Sequence, residues 1–208
     1  MTTDPFDAKA ATWDEDPAKV ERARAVAGAI RRTVALDRRM RLLEYGAGTG
    51  LVTQELRDAV GPVTLADTSQ GMLDVLRSKV ASGALTEARV WELDLSRDPV
   101  PAERFDLVVS VMTLHHIPDL APVLRAFATL LEAGGHLCVA DLDREDGSFH
   151  DYDFEGHNGF DRDDLAARLA AAGFDGIRFE TCHRMPRNDR TYDLFLATAT
   201  RAPAAEHA

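Results

Sequence analysis

At 208 residues, with a net charge of −11 and a sequence pI near 5.0, the chain has the size of one domain. It lacks the basic surface that a nucleic-acid backbone or an anionic membrane would require of a partner. Hydrophobic residues at 45% and charged residues at 28% are ordinary for a globular protein and allow a full core.

Cys138 and Cys182 lie far apart in apolar runs, without the C-x-x-C spacing of zinc or redox sites, and are expected as buried, reduced thiols. No apolar run approaches the ~18 residues of a membrane span. The acidic stretch MTTDPFDAKAATWDEDP lacks the apolar core of a signal peptide, so a cytoplasmic protein is expected.

Residues 1–16 mix Asp, Thr and Ala around Phe6 and Trp13 and are too polar to form a core element alone. Behind Asp16, Pro17 suits a first helical turn, and Val20, Ala23, Ala27, Ile30 and Val34 recur at helical spacing, predicting an amphipathic helix over 17–35. The stretch LLEYGAGTGLVTQEL follows, from Leu42 to Leu56. An apolar run ends in Glu44, glycines fall on alternate positions at Gly46, Gly48 and Gly50, and Val52, Leu56 and Val60 then share a helical face. A strand, a tight loop and a helix are predicted, with glycines where the chain must take positive φ or admit a ligand to the backbone.

PVTLA (62–66) is a short strand closing on Asp67, and Ser69 caps a helix carrying Met72, Leu73, Leu76 and Val80. RVWEL (89–93) is a third strand followed by Asp94, with Asp98 as a nearby competing acid. FDLVVSVM (105–112) is almost unbroken apolar sequence, as expected of a central parallel strand. After Thr113-Leu114-His115-His116-Ile117-Pro118, Asp119 caps a helix that Gly134-Gly135 is expected to end, and HLCVADL (136–142) is strand five. Residues 141–160 have no clean period but carry four aromatics, which reads as a lid. Asp161 caps a last helix ended by Gly173, and 177–182 and 192–200 read as two strands joined by a polar turn. The βαβαβ rhythm predicts a doubly wound α/β sheet in a single domain over 1–208.

The glycine spacing decides among ligands. A dinucleotide fingerprint counted from Gly46 needs its third glycine at Leu51, and a nucleotide P-loop needs a glycine at Leu51 and a lysine at Val52; neither is present. What remains is E-x-G-x-G-x-G. On this motif, and on the order of elements from about Leu42 onward, the chain resembles the class I S-adenosylmethionine-dependent methyltransferases.

That resemblance implies a seven-stranded, mostly parallel sheet ordered 3-2-1-4-5-7-6, with strand seven antiparallel and helices on both faces. It implies a cofactor site made of Glu44, Gly46, Ala47, Gly48, Gly50, Asp67, Thr68, Met72, Asp94, Leu95 and Val111. Asp67, 21 residues past Gly46, stands near the ~20-residue offset of a ribose-binding acid. Asp94 and the Leu95 amide would meet adenine. Trp13, His150, Tyr152 and His157 would face the acceptor from the N-terminal arm and the lid, although Trp13 serves equally as an anchor for that arm.

Glu44, Asp67, Asp94, the histidine pair and Asp141 are all expected at the carboxyl ends of the strands, where parallel sheets bind ligands. Methyl transfer needs positioning and, for a hydroxyl or ammonium acceptor, removal of a proton. His115 oriented by Asp141 is the candidate base, as in some small-molecule O-methyltransferases of the resembled family, with His116 packed for structure. A structural role for both histidines is the competing reading.

No metal is expected. Against an EF-hand loop starting at Asp141, position 6 is Asp146 and position 12 is Tyr152. A His150, Asp151 and His157 set is less favoured than an acidic, solvated lid.

The function expected is methyl transfer from S-adenosylmethionine to a small-molecule acceptor by a monomer or homodimer. A catalytically silent S-adenosylmethionine- or S-adenosylhomocysteine-binding module is the alternative, and an NAD(P) oxidoreductase is disfavoured by the missing third glycine.

Overall fold

Seven strands are present in a computed structural model, which describes residues 6–150, 152, 154–187 and 189–202. They are β1 (Leu42–Tyr45), β2 (Val63–Asp67), β3 (Ala88–Glu92), β4 (Phe105–Val111), β5 (Leu131–Leu142), β6 (Phe174–Arg187) and β7 (Arg190–Arg201). They form one sheet in the order β3-β2-β1-β4-β5-β7-β6. The pairs β1–β2, β2–β3 and β4–β5 are parallel, while β7 is antiparallel to both β5 and β6. This is the architecture the resemblance implied. Flanking helices are α1 (Pro17–Thr33), α2 (Leu51–Leu56), α3 (Gln70–Ala81), α4 (Leu120–Leu130) and α5 (Arg162–Ala171). Among the described residues no helix is long and apolar enough to cross a membrane. The chain divides into two compact units, residues 1–94 and 95–208.

In the first unit, α1 starts where Asp16 accepts the Ala18 amide at 3.0 Å, and Val26, Ala27 and Ile30 bury its apolar face. Helix α2 is shorter than the apolar spacing suggested: it stops at Leu56, and Val60 is buried from the following turn instead. Residues Asp7–Glu15 form a 3₁₀ helix, which the polar composition gave no reason to expect. It is held by partners from elsewhere in the chain rather than by its own core.

In the second unit, β4 and β5 carry the core through Leu107, Val108, Val109, Cys138, Val139 and Ala140, all buried. Strand β5 begins at Leu131, directly after α4, and Gly134-Gly135 does not end the helix as expected. The pair breaks the strand's register, so that Leu131 faces Phe105 while His136 already faces Leu107. Gly134 takes φ 78°, and a Cβ on Gly135 would lie 3.0 Å from the Glu132 carbonyl oxygen, so the bulge requires glycine. The last two strands are longer than predicted because β6 is a half-exposed edge whose polar residues mask its alternation. Cys138 is fully buried and its thiol is pushed up to about 12, whereas Cys182 is only half-buried and not in the core as expected.

Candidate active site

The glycine loop is built as an ordered bend after β1. Gly46, Gly48 and Gly50 take φ of 70°, 55° and 80°, a region closed to most side chains. The amides of Gly46 and Ala47 both donate to the Ala66 carbonyl, at 2.8 and 3.0 Å, which fastens the loop to the end of β2. The glycines differ in what surrounds them. A Cβ on Gly50 would press on Leu76 at 3.0 Å and Leu85 at 3.3 Å, whereas a Cβ on Gly48 would meet nothing within 4 Å. Gly50 is required by packing, and Gly48 leaves the loop backbone open to a ligand.

Asp67, at the end of β2, gathers three amides: Gly48 at 2.7 Å through Oδ2, and Thr68 at 2.8 Å and Ser69 at 2.9 Å through Oδ1. The expected ribose acid is thus also the post that fixes the glycine loop. Glu44 is buried, and its Oε2 accepts the Thr53 amide at 3.1 Å and the Thr53 hydroxyl at 2.5 Å. Desolvation raises its pKa from 4.5 to about 7 against those two bonds. Ala47 and Met72 are buried, Thr68 is exposed, and Asp94 is half-buried one residue before the unit boundary.

Sequence reading missed how the N-terminal 3₁₀ helix is strapped down. Asp7 accepts the Ser69 hydroxyl at 2.7 Å and the Gly71 amide at 3.0 Å, and those bonds hold its carboxyl below the usual range. Asp14 accepts the Thr49 hydroxyl and pairs with Lys79, both at 2.5 Å, while Lys79 also donates to the Thr49 carbonyl at 2.7 Å. Polar contacts across 35 and 64 residues have no periodic signature, and glycine at position 71 was the one hint of close approach. Trp13 rides on this strap, with Phe6 edge-on at 6.1 Å and the Lys19 ammonium 4.3 Å from its ring.

In the second unit, Val111 ends β4, and Met112 turns the chain with φ 53°, an uncommon value for methionine, into a 3₁₀ turn over Leu114–His116. His115 and Asp141 are both buried, with Nδ1 2.7 Å from Oδ1. Asp141 also accepts the His115 amide at 3.2 Å and the Leu142 amide at 2.8 Å, so backbone donors fix the carboxylate before it orients the ring. An Nδ1–H donated to this carboxylate would leave the lone pair of a neutral imidazole on Nε2. His116 lies beside it, with ring centroids 4.0 Å apart; burial, with neighbouring His115, pushes its pKa down to about 3 and keeps it neutral. Leu95 is buried.

The segment after β5 folds back on this turn. The His157 amide donates to the His115 carbonyl at 2.8 Å, and its Nε2 lies 2.9 Å from the Ile117 carbonyl oxygen. His150 stacks on Phe154 at 3.7 Å with planes 16° apart, and Tyr152 is exposed at its rim. Two of the segment's acids are paired with arginines, Asp143 with Arg162 and Asp146 with Arg190, while Glu145 accepts the Phe149 amide at 3.0 Å. Asp151 and Asp153 lie outside the described residues.

The comparisons with known proteins agree with this fold. The model of the methyltransferase domain family matches residues 19–178, and the chain belongs to that family. It is 34% identical over 111 residues to a ubiquinone biosynthesis O-methyltransferase of Marinobacter nauticus, covering 52% of this chain and 47% of that protein. The chain thus matches about half the length of that relative. With the ubiquinone biosynthesis O-methyltransferase of Xylella fastidiosa it shares 30% identity over 196 residues, 81% of this chain and 76% of that one. Among solved structures, the N-methyltransferase NodS from Bradyrhizobium japonicum, in complex with S-adenosyl-L-homocysteine, superposes with a TM-score of 0.69 at 19% identity, covering 90% and 89% of the two chains.

Proposed function

We propose that this protein transfers a methyl group from S-adenosylmethionine to a small-molecule acceptor, with His115 removing the acceptor's proton. The observation that carries the catalytic part is the buried 2.7 Å contact between His115 Nδ1 and Asp141 Oδ1, which leaves the base lone pair on Nε2. The cofactor assignment is supported by family membership and by the open backbone at Gly48 beside the Asp67 carboxylate. Its sulfonium supplies an electrophilic methyl, so this chain's own tasks are to place the acceptor in line and take up one proton. Asp67 would receive the ribose hydroxyls, and in the second unit His150 and Tyr152 would bound the acceptor. Relatives named for O-methylation in ubiquinone biosynthesis and the net charge of −11 favour a small, uncharged or cationic acceptor over a nucleic acid. A family match on both sides of Asp94 supports reading the chain as one methyltransferase domain.

The test is methyl transfer from radiolabelled cofactor to a panel of phenols, hydroxy acids and amines, beside calorimetric titration with S-adenosylhomocysteine and NAD. Turnover of a panel member with binding of S-adenosylhomocysteine alone is expected. Binding without turnover of any acceptor would favour the silent binding module, and binding of NAD would overturn the cofactor assignment.

A further inference from the structure

We propose that His115, His116 and His150 form a binding site for a divalent cation of the zinc, cobalt or nickel kind. One ring nitrogen from each lies within 4.8 Å of one from each of the others. His115 and His116 come from the turn after β4 and His150 from the segment after β5, so the cluster exists only in the folded chain. Tetrahedral coordination at about 2.0–2.1 Å sets ligand nitrogens about 3.4 Å apart, so metal binding would draw the three rings together.

Two further features fit a cation of this kind. The Asp141 carboxylate on Nδ1 of His115 is the outer partner that metal-bound histidines usually have: it fixes the tautomer and aims Nε2 as the ligand atom. His150 is stacked on Phe154 at 3.7 Å and meets Phe149 edge-on at 5.0 Å, contacts that set its ring. Imidazoles select borderline metals, whereas magnesium and calcium want oxygen ligands. Asp143 and Asp146, on the same segment as His150, are engaged by Arg162 and Arg190. Sequence reading had weighed His150 with Asp151 and His157. The fold instead sends His157 to the Ile117 carbonyl and supplies the adjacent pair 115 and 116. Three protein ligands leave a fourth position for water or another small ligand. Coordination uses the same Nε2 lone pair that would accept a proton, so metal binding and the base role of His115 exclude each other.

The experiment uses full-length protein without a polyhistidine tag, stripped of metal and titrated with cobalt(II), followed by its visible absorption, then with zinc(II) against a chromophoric chelator. One equivalent with tetrahedral cobalt bands is expected, and histidine ¹H–¹⁵N correlation spectra of the zinc-loaded protein should show three imidazoles shifting. His150→Ala and His116→Ala should each weaken binding by roughly tenfold to hundredfold or more, while His183→Ala on β6 leaves it unchanged. His150→Gln keeps the segment's packing if the alanine variant unfolds. Absence of a saturable single site in the wild-type protein, or shifts at histidines other than these three, overturns the proposal whether or not methyl transfer is found.

Discussion

The imidazole of His115 and the carboxylate of Asp141, 26 residues apart in sequence, meet at 2.7 Å in a buried pair that two backbone amides hold in place. If they act as one unit, His115→Ala and Asp141→Asn should each lower turnover by about 10²- to 10⁴-fold with S-adenosylhomocysteine affinity near wild type. The double variant should be little worse than the worse single one. Steady-state kinetics with calorimetry decides this; a His115→Ala enzyme retaining most of its turnover would return the pair to a structural role.

Asp67 fixes the glycine loop and, in the proposed function, also receives the ribose hydroxyls. Asp67→Ala should weaken S-adenosylhomocysteine by about 1.5 to 3 kcal/mol, since charge-assisted bonds to two hydroxyls are lost. Three amides on this carboxylate also predict a lower melting temperature, because Gly48, Thr68 and Ser69 lose their acceptor. Wild-type cofactor affinity in a variant of reduced stability would assign Asp67 to the loop alone.

Burial of Glu44 makes stability depend on pH. Its folded pKa, about 7, is above its ordinary 4.5, so its contribution is fully present below about 4.5 and is lost as pH rises through 7. Glu44→Gln keeps an acceptor for Thr53 without a titrating charge. Chemical denaturation should show the variant close to wild type at pH 4 and more stable at pH 8, by on the order of 3 kcal/mol. Parallel pH profiles would mean that the Thr53 bonds offset the desolvation.

Gly71 tests the N-terminal strap. A Cβ there would lie 2.7 Å from the Asp7 carbonyl oxygen, so Gly71→Ala should lift residues 7–15 from α3 and speed their hydrogen exchange. Alanine otherwise favours a helix, so any loss of stability reports the clash. Exchange unchanged from wild type would show that the strap tolerates the methyl group.

The segment after β5 should show two kinds of protection. Its return to the fold is already bonded, with Arg144 donating to Phe160, Glu145 to Asn158 and Phe160 to Leu142. Cofactor and acceptor together should therefore slow exchange near Phe149, His150 and Tyr152 more than near 157–160. Equal protection with and without ligands would remove the lid role.

Local chemistry made much of this protein legible in its sequence. Alternate glycines with an acid before them, capping residues at Asp16, Ser69, Asp119 and Asp161, and the apolar run of β4 each state their conformation within a few residues. Physical reasons of that range carry over directly, and they marked the loop, Asp67, and the chain positions of His115 and Asp141. What depends on partners distant in sequence was not readable. The Gly134-Gly135 pair reads as a helix stop, and becomes a bulge only because Phe105 of β4 pairs with Leu131 while Leu107 already pairs with His136. The strap forms because Asp7 and Asp14 find Gly71, Thr49 and Lys79, and no period in the chain encodes those meetings. Tertiary structure alone decided that His150 joins His115 and His116 while His157 leaves them for a carbonyl, because which imidazoles share a few ångströms depends on how a turn and a returning segment pack together.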